Sequence, residues 1–258
     1  PKVLDFQVTD PDLSIVLPVY DEAENLDPLW VELRNTLEAL GLRFEALFVD
    51  DGSGDGSGEA LDRIALDDDR VRVLHLESHS GQTAALDAGF RSARGNIVIT
   101  MDSDLQNDPA DIPLLLEMIG PFDAAVGRRG VRRDPWPRGL ASRIANAVRN
   151  YVSDEIISDT GCSLKAFRRE CLNRIRLYDG MHRFLPTLLK LEGFTVTEVV
   201  VGHRERHRGS SKYTLGSRFL RSCWDLVTVR WMQNRRLTYR LTRNVKRGEG
   251  TGRSSRAG

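Results

Sequence analysis

The 258-residue sequence lacks a long hydrophobic run, a net charge and any sizeable set of cysteines. No segment approaches the ~20 consecutive apolar residues that a membrane-spanning helix needs, so we expect no transmembrane helix. Cys162, Cys171 and Cys223 lack metal-ligand spacing, and so sparse a set is typical of buried thiols in a reducing cytosol. The 37 basic and 37 acidic residues balance, which gives no reason to expect a nucleic-acid partner. We recognise no signal peptide, and therefore predict a cytoplasmic location.

Two common nucleotide-binding motifs are also missing. No G-x-G-x-x-G follows the first predicted strand, and no G-x-x-x-x-G-K-[ST] occurs anywhere in the chain. These glycine patterns carry the phosphate-binding turns of dinucleotide-binding domains and of P-loop enzymes. The sequence therefore argues against a nicotinamide-dependent dehydrogenase and against a P-loop nucleotidase.

Short β-rich apolar runs alternate with helical patterns through most of the chain. The predicted strands are 13–17, 44–49, 71–76, 97–101, 124–126, 164–167 and 194–201. The predicted helices are 25–40, 57–65, 81–93, 109–119, 140–152, 181–191 and 215–232. This alternation predicts an α/β protein with a mostly parallel, doubly wound sheet.

The stretch Ile97–Pro109 carries the clearest chemical signal. A buried strand ends in Asp102-Ser103-Asp104, and a turn at Ser103 would let both carboxylates converge on one hard cation, with Gln106 as a third oxygen donor. Oxygen ligands suit Mg²⁺ or Mn²⁺, and Mg²⁺ is usually held by one or two carboxylates plus substrate phosphates. The alternative interpretation is a polar turn before a helix that starts at Asp108-Pro109.

Charge is unevenly distributed along the sequence. Acidic residues are frequent in the first 125 positions, whereas arginine is concentrated in 128–149 and again after His203. This asymmetry predicts a basic surface for phosphate groups or for an anionic membrane.

Six motifs stand in the order found in one known family. They are Leu17-Pro-Val-Tyr-Asp-Glu-Ala-Glu-Asn-Leu26, Val49-Asp-Asp-Gly-Ser53, Gly81-Gln-Thr-Ala-Ala-Leu-Asp-Ala-Gly89, Met101-Asp-Ser-Asp-Leu-Gln106, Asp159-Thr-Gly-Cys162 and Arg206-His-Arg-Gly-Ser-Ser-Lys212. Over roughly residues 13–233 the chain resembles family 2 glycosyltransferases of the GT-A fold, which is Rossmann-like. Within them it is most similar to the dolichyl-phosphate mannose synthase type, the polyprenyl-phosphate sugar transferases.

The resemblance implies a donor site for a GDP- or UDP-linked sugar. It assigns the metal, Mg²⁺ or Mn²⁺, to Asp102, Asp104 and Gln106. It assigns nucleotide binding to Pro18, Tyr20, Glu22, Asp51, Asp102, Arg206 and Lys212. The last two flank a Gly-Ser-Ser loop that could close over a diphosphate, although a solvated basic loop is the alternative. His203 and His207 are predicted to be surface or packing residues.

The resemblance also implies an acceptor site for a polyprenyl phosphate. It assigns the lipid phosphate to Arg128, Arg138 and Ser142, and catalysis to Asp104, Asp159 and Arg128. Asp159 would orient the sugar or act as a weak base. A solvated arginine-rich loop and a turn-forming aspartate are the alternatives for these two regions.

We divide the chain into four segments. Residues 1–12 are a lead-in, 13–214 the GT-A catalytic domain, 215–242 a membrane-interface helix and 243–258 a disordered tail. Apolar and aromatic residues in 219–232, followed by arginines and lysines, suit an amphipathic helix on anionic lipid. This predicts a peripheral protein on the inner face of the membrane. A core-packing helix is the alternative, and a separate membrane subunit would also explain the absence of spans.

The sequence therefore predicts a metal-dependent inverting glycosyltransferase that moves a sugar from a nucleotide diphosphate to a polyprenyl phosphate. A family 2 transferase with a glycan or other non-lipid acceptor is the second hypothesis. The third is a catalytically inactive nucleotide-sugar-binding subunit.

Overall fold

The computed structural model describes residues 10–130, 159, 161–204 and 215–235. The strands are β1 Leu13–Val19, β2 Phe44–Asp50, β3 Val71–His75, β4 Ile97–Thr100, β5 Ala124–Arg129, β6 Lys165–Arg168 and β7 Val196–Val201. The α-helices are α1 Ala23–Ala39, α2 Ser57–Asp67, α3 Gln82–Ser92, α4 Ile112–Met118, α5 Arg169–Arg174, α6 Leu185–Leu191 and α7 Leu215–Asn234. Short 3-10 helices, Pro109–Asp111 and Met181–Phe184, precede α4 and α6.

The seven strands form one sheet in the order β3-β2-β1-β4-β6-β5-β7. Strand β6 runs antiparallel to both of its neighbours, whereas the other four pairs are parallel. Strand β1 lies near the middle, and six of its seven residues are buried, as expected of a strand covered on both faces. The predicted mostly parallel α/β sheet is confirmed.

Helices cover both faces of the sheet. On one face, leucines of α1 at positions 26, 29, 33 and 37 share a core with residues of α2 and α4. On the other face, Leu86 and Phe90 of α3 pack with Leu172 of α5 and Leu189 of α6. The sheet is therefore wound on both sides, and its loops are left to form the site at the strand ends.

Two features were not predicted. The antiparallel direction of β6 depends on the path between β5 and β6, and a strand pattern carries no direction. Helix α5 has only six residues and two buried side chains, Cys171 and Leu172, which is too short for a helical period to be recognised. The predicted helix 140–152 lies outside the described residues.

Six strands end at the same edge of the sheet, because β4 and β5 both run antiparallel to the strand between them. Lys165, the first residue of β6, lies at that same edge. Open α/β sheets bind ligands outside the carboxyl ends of their strands, so this edge is where a site is expected. Among the described helices, none is long and apolar enough to cross a membrane.

Candidate active site

The loops after β1 and β2 are joined by hydrogen bonds. The Asp21 amide donates to Ser53 Oγ (3.0 Å), and Asp21 Oδ1 accepts from the Gly54 amide (2.9 Å). One residue further, the amide of Glu22 donates to Ser57 Oγ (2.9 Å). The Glu22 carboxylate accepts from Asn25 Nδ2 (2.5 Å), so the structure places this predicted nucleotide-binding residue at the start of α1.

Asp51 is 2 % exposed and holds the loop between β3 and α3. Its carboxylate accepts from the amides of Ser80 (2.7 Å) and Gly81 (2.9 Å) and lies 2.9 Å from His79 Nδ1. The residue after Asp51 has to be glycine. Gly52 has a φ of +69°, and a Cβ at this position would lie 2.7 Å from the His79 amide nitrogen.

The His79 ring also stacks on Tyr20, with the ring centroids 3.9 Å apart. The structure thus brings together two predicted nucleotide-binding residues, Tyr20 and Asp51, through a histidine that the sequence analysis missed. The signal that could have found it is a histidine in the segment Ser78-His-Ser-Gly81, which begins one residue beyond a predicted strand.

Asp102 and Asp104 leave the sheet at the carboxyl end of β4. Between them Ser103 turns inward and its Oγ donates to the carbonyl of Pro18 (3.0 Å), which ties the predicted residues of β1 and β4 together. Asp102 is half-buried, and its Oδ1 accepts from Gln82 Nε2 (2.8 Å). Asp104 is 9 % exposed. The chain does turn at Ser103, as the metal hypothesis requires.

Gln106 links the loop that carries Asp104 to Arg204, which follows β7. Its amide donates to Asp104 Oδ1 (3.1 Å), and its carbonyl accepts from the Arg204 amide (2.9 Å). Arg204 also pairs with Glu32 (2.6 Å) and Asp108 (2.9 Å). Arg204, the last described residue after β7, therefore lies beside the loop that carries the two carboxylates.

Asp159 forms an ion pair with Arg129 at the end of β5. Its two carboxylate oxygens lie 2.6 Å from Arg129 Nε and 2.7 Å from Nη2, and both side chains are about one-sixth exposed (17 % and 16 %). Burial raises the pKa of Asp159, but the hydrogen bonds and charge of Arg129 outweigh it and leave the pKa below its usual value. The carboxylate is therefore ionised at neutral pH and is at most a weak base.

Arg128 and Arg129 point to opposite faces of the sheet, since neighbouring strand residues alternate. Val126 pairs with Lys165 in the antiparallel register, so Arg128 shares a face with both of them. Arg128 is exposed, whereas Arg129 is held by Asp159, and the negative charge of Asp102 also raises the pKa of Arg129. Arg128, the residue predicted to bind the acceptor, thus lies exposed at the edge of the site. Arg129 is instead held in an ion pair with Asp159.

A cavity of about 210 Å³ opens between β4, β6, the start of α3 and the 3-10 helix before α6. Its lining residues are Pro18, Gln82, Leu86, Thr100, Met101, Asp102, Gly161, Ser163, Lys165, His182, Arg183 and Leu185. His182 is positioned by Thr83, whose Oγ1 lies 2.7 Å from His182 Nδ1. Of these residues only Pro18 and Asp102 were predicted from the sequence to be site residues.

Four predicted site residues lie outside the described residues. They are Arg138, Ser142, Arg206 and Lys212. Their assignments to the acceptor phosphate and to the nucleotide remain predictions.

The sequence comparisons agree with this geometry. The family model described as "Glycosyl transferase family 2" matches residues 14–176. The chain is 36% identical over 219 residues to the undecaprenyl-phosphate 4-deoxy-4-formamido-L-arabinose transferase of Aeromonas hydrophila, which covers 84% of this chain and 67% of the relative. The same-named protein of Proteus mirabilis is 35% identical over 218 residues, with the same coverage. This chain belongs to glycosyl transferase family 2. It is therefore a glycosyltransferase.

Solved structures share the fold of this family 2 member. Glucosyl-3-phosphoglycerate synthase of Mycobacterium tuberculosis, in complex with Mn²⁺, UDP-glucose and phosphoglyceric acid, superposes with a TM-score of 0.66 at 18% identity, covering 86% of this chain and 80% of that one. A mannosyltransferase of Pyrobaculum calidifontis, in complex with GDP-mannose and Mn²⁺, gives 0.59 at 20% identity, covering 86% and 64%. The GT-A fold expected from the sequence is confirmed.

Asp102 and Asp104 of this family 2 member suit a divalent cation whose remaining ligands come from the substrate. Among the described residues, no group of three His, Cys, Asp or Glu side chains could hold a metal ion by itself. Two carboxylates at one strand end match the way Mg²⁺ is held, by one or two carboxylates completed by water and phosphate oxygens. The donor set therefore fits a metal nucleotide rather than a closed protein-only site.

Proposed function

We propose that the protein transfers a sugar from a nucleotide diphosphate sugar to a polyprenyl phosphate in an inverting, metal-dependent reaction. The observation that carries this proposal is the pair Asp102 and Asp104 at the carboxyl end of β4, beside a cavity about the size of a single ring. Its relatives' shared name supports undecaprenyl phosphate as the acceptor and 4-deoxy-4-formamido-L-arabinose as a candidate sugar.

Each part of the site has a role in this reaction. Asp102, Asp104 and Gln106 would hold a divalent cation, which neutralises the charge of the departing nucleoside diphosphate. Tyr20 and the loop fastened by Asp51 would bind the nucleoside. The acceptor phosphate is already anionic near neutral pH, so its oxygen needs positioning rather than a strong base. Arg128, at the site edge, and Arg138 would supply positive charge for that purpose, and Ser142 would supply a hydroxyl donor.

The test is transfer measured across a donor panel. UDP-glucose, GDP-mannose and UDP-linked 4-deoxy-4-formamido-L-arabinose would each be incubated with a short polyprenyl phosphate and Mn²⁺ or Mg²⁺. We expect one donor to give a polyprenyl-phosphate sugar, with loss of product in excess EDTA. Sugar transfer to a soluble glycan but not to the lipid would favour the second hypothesis, and donor binding without any transfer would favour an inactive subunit.

The acceptor assignment can be tested separately from the donor. Arg128→Ala should lower transfer efficiency about ten- to a hundredfold, because a hydrogen bond to an ionised group contributes roughly 1.5–3 kcal/mol. Nucleotide binding should stay unchanged. Arg91→Ala is the matched control, since Arg91 lies on the surface of α3 and pairs with Asp87. A normal acceptor dependence in Arg128→Ala would refute the assignment.

We further propose that α7 binds the membrane surface. Val229 is fully buried against Met181, Phe184 and Leu188, so one face of the helix packs on the domain. The opposite face exposes Trp224, Val227 and Trp231, which are 75%, 55% and 62% exposed. Aromatic residues at this spacing beside basic residues suit the interface of an anionic bilayer. We also propose that the protein is peripheral on the inner face of the membrane. A membrane partner subunit is the alternative occupant of the exposed face of α7.

Vesicle flotation distinguishes these occupants. The protein should float with phosphatidylglycerol vesicles and not with phosphatidylcholine vesicles, and replacing Trp224 and Trp231 by Ser should abolish flotation. Leu66→Ser is the control, because Leu66 is 87 % exposed on α2. Unchanged flotation of the double variant would exclude α7 as the membrane contact.

A further inference from the structure

Lys165 is a buried cation at the edge of the site. It is 5 % exposed, and of the lysine and arginine side chains that the structure describes it alone is buried. It begins β6, where it pairs with Thr100 of β4 on one side and Val126 of β5 on the other. Burying an ammonium group is costly unless it meets oxygen partners, so its position needs a chemical reason.

The side chain of Lys165 forms part of the wall of the 210 Å³ cavity. Leu86 and Leu185 provide apolar walls, while Asp102 and Ser163 provide polar ones. Pockets for drug-sized ligands are larger, about 300–1,000 Å³. The cavity therefore has room for one ring-sized group with an apolar face and polar substituents, and not for a whole nucleotide.

The nearby carboxylates already have other partners. Both oxygens of Asp159 are engaged by Arg129, and Oδ1 of Asp102 accepts from Gln82. Burial lowers the pKa of Lys165, and the negative charges of Asp102 and Asp159 only partly oppose it. A structural ion pair therefore does not account for the residue, whereas a ligand oxygen in the cavity would.

We propose that Lys165 recognises the transferred sugar, by donating a hydrogen bond from its ammonium group to an oxygen substituent of the ring held in this cavity. The inference rests on the proposed function, because it takes the ligand to be a nucleotide sugar. Leu86 and Leu185 would contact the C–H face of the ring. Lys165 then determines which sugars are accepted and leaves nucleoside recognition to the loops after β1, β2 and β3.

Calorimetry with a nucleotide and its sugar-linked form isolates this contact. UDP and UDP-glucose, GDP and GDP-mannose, and UDP-linked 4-deoxy-4-formamido-L-arabinose would be titrated into wild type, Lys165→Met and Lys165→Arg, each with Mn²⁺. For the donor that wild type uses, Lys165→Met should weaken binding about ten- to a hundredfold, as expected for a lost hydrogen bond from a charged donor. Binding of the matching nucleoside diphosphate should not change. Lys165→Arg should restore part of the loss.

Lys190→Met is the matched control, since Lys190 lies in α6 and does not line the cavity. If Lys165→Met binds the donor as tightly as wild type, the inference is wrong. It is also wrong if the variant loses affinity for the nucleoside diphosphate to the same extent, since that would place Lys165 at the metal or diphosphate. Should Lys165→Met fail to fold, Lys165→Arg alone decides, because a changed ranking of the sugars supports the contact and an unchanged ranking refutes it. Absence of transfer by wild type would instead refute the proposed function.

Discussion

The two halves of the site are built from different interactions. After β1, β2 and β3 the carboxylates accept hydrogen bonds mainly from backbone amides, as Asp51 does from Ser80 and Gly81. After β5 and before β6, carboxylates and cations pair through their side chains, as Asp159 does with Arg129. In the first half the hydrogen bonds fix the backbone of the loops, and in the second half charged side chains lie close together.

This difference suits the two substrates of a sugar transfer. A nucleoside offers a flat base and hydroxyl groups, which need loops of fixed shape. A phosphate acceptor and a leaving diphosphate offer charge, which needs cations held in a partly desolvated place. We therefore expect substitutions in the first half to change nucleotide binding and substitutions in the second half to change stability and transfer.

The largest effect is expected where the two halves meet, at Asp104. Asp104→Asn should lower transfer at least about a hundredfold, because a metal contributes several kcal/mol to the transition state and 1.36 kcal/mol corresponds to tenfold. Thermal unfolding should be nearly unchanged, since a loop carboxylate contributes little to the core. Asp69→Asn, on the exposed turn before β3, is the control. Full activity of Asp104→Asn in excess EDTA would contradict the metal assignment.

Breaking the ion pair of the second half should destabilise the protein. Asp159→Asn leaves the Arg129 guanidinium without its charged partner, and partial exposure reduces the cost from the 3–5 kcal/mol of a fully buried pair to about 2–3 kcal/mol. Urea unfolding measures this loss, and calorimetry should show unchanged nucleotide binding. Because the pKa of Asp159 is lowered in the folded state, this stability is present at neutral pH and is lost as the pH falls below about 4.

Asp12→Asn is the comparison for that variant, since Asp12 forms a similar paired contact with Arg43 on the surface. It should change the free energy of unfolding much less, because exposed ion pairs are screened by solvent. Equal losses in the two variants would show that burial is not what makes the Asp159 pair important.

The first half should respond in the opposite way. Asp51→Asn keeps the size of the side chain but replaces one acceptor oxygen with a donor, so either the Ser80 or the Gly81 amide loses its partner. We expect a loss of about 1 kcal/mol in stability and a roughly tenfold loss in nucleotide affinity, which is about 1.4 kcal/mol. Asp67→Asn at the exposed end of α2 is the control. If Asp51→Asn bound nucleotide normally but transferred sugar to the acceptor less efficiently, the assignment of the first half to nucleotide binding would be wrong.

The smallest effect concerns pH and His75. This residue lies 3.0 Å from both Asp50 and Asp62, and their hydrogen bonds raise its pKa. A raised pKa means that the contribution to stability is complete below about pH 6.5 and is lost as the pH rises through the folded-state value. The destabilisation of His75→Gln should therefore be greater at pH 6 than at pH 8.5, by a few tenths of a kcal/mol, because the ring is 43% exposed and screened. An equal destabilisation at both pH values would rule out the charged pair.

Local patterns in the sequence predicted most of the sheet and the acidic end of β4. The apolar run Leu13–Leu17 is hydrophobic enough to predict a buried strand, and helix α1 has leucines at helical spacing. Asp102 and Asp104 were recognised because a buried strand ends at them. The chain's membership of its family followed from six local motifs in order.

The tertiary structure alone decided which residues of the second half lie together. Sequence patterns do not give strand direction, so nothing local indicated that β6 inserts antiparallel between β4 and β5. That insertion puts Lys165 beside Thr100, which is 65 positions earlier in the chain. Arg129 rather than Arg128 faces Asp159 because strand residues alternate and the register fixes which of the two turns inward. The hydrophobicity of an apolar run is a property of its own segment, whereas charge pairing requires two distant segments to meet.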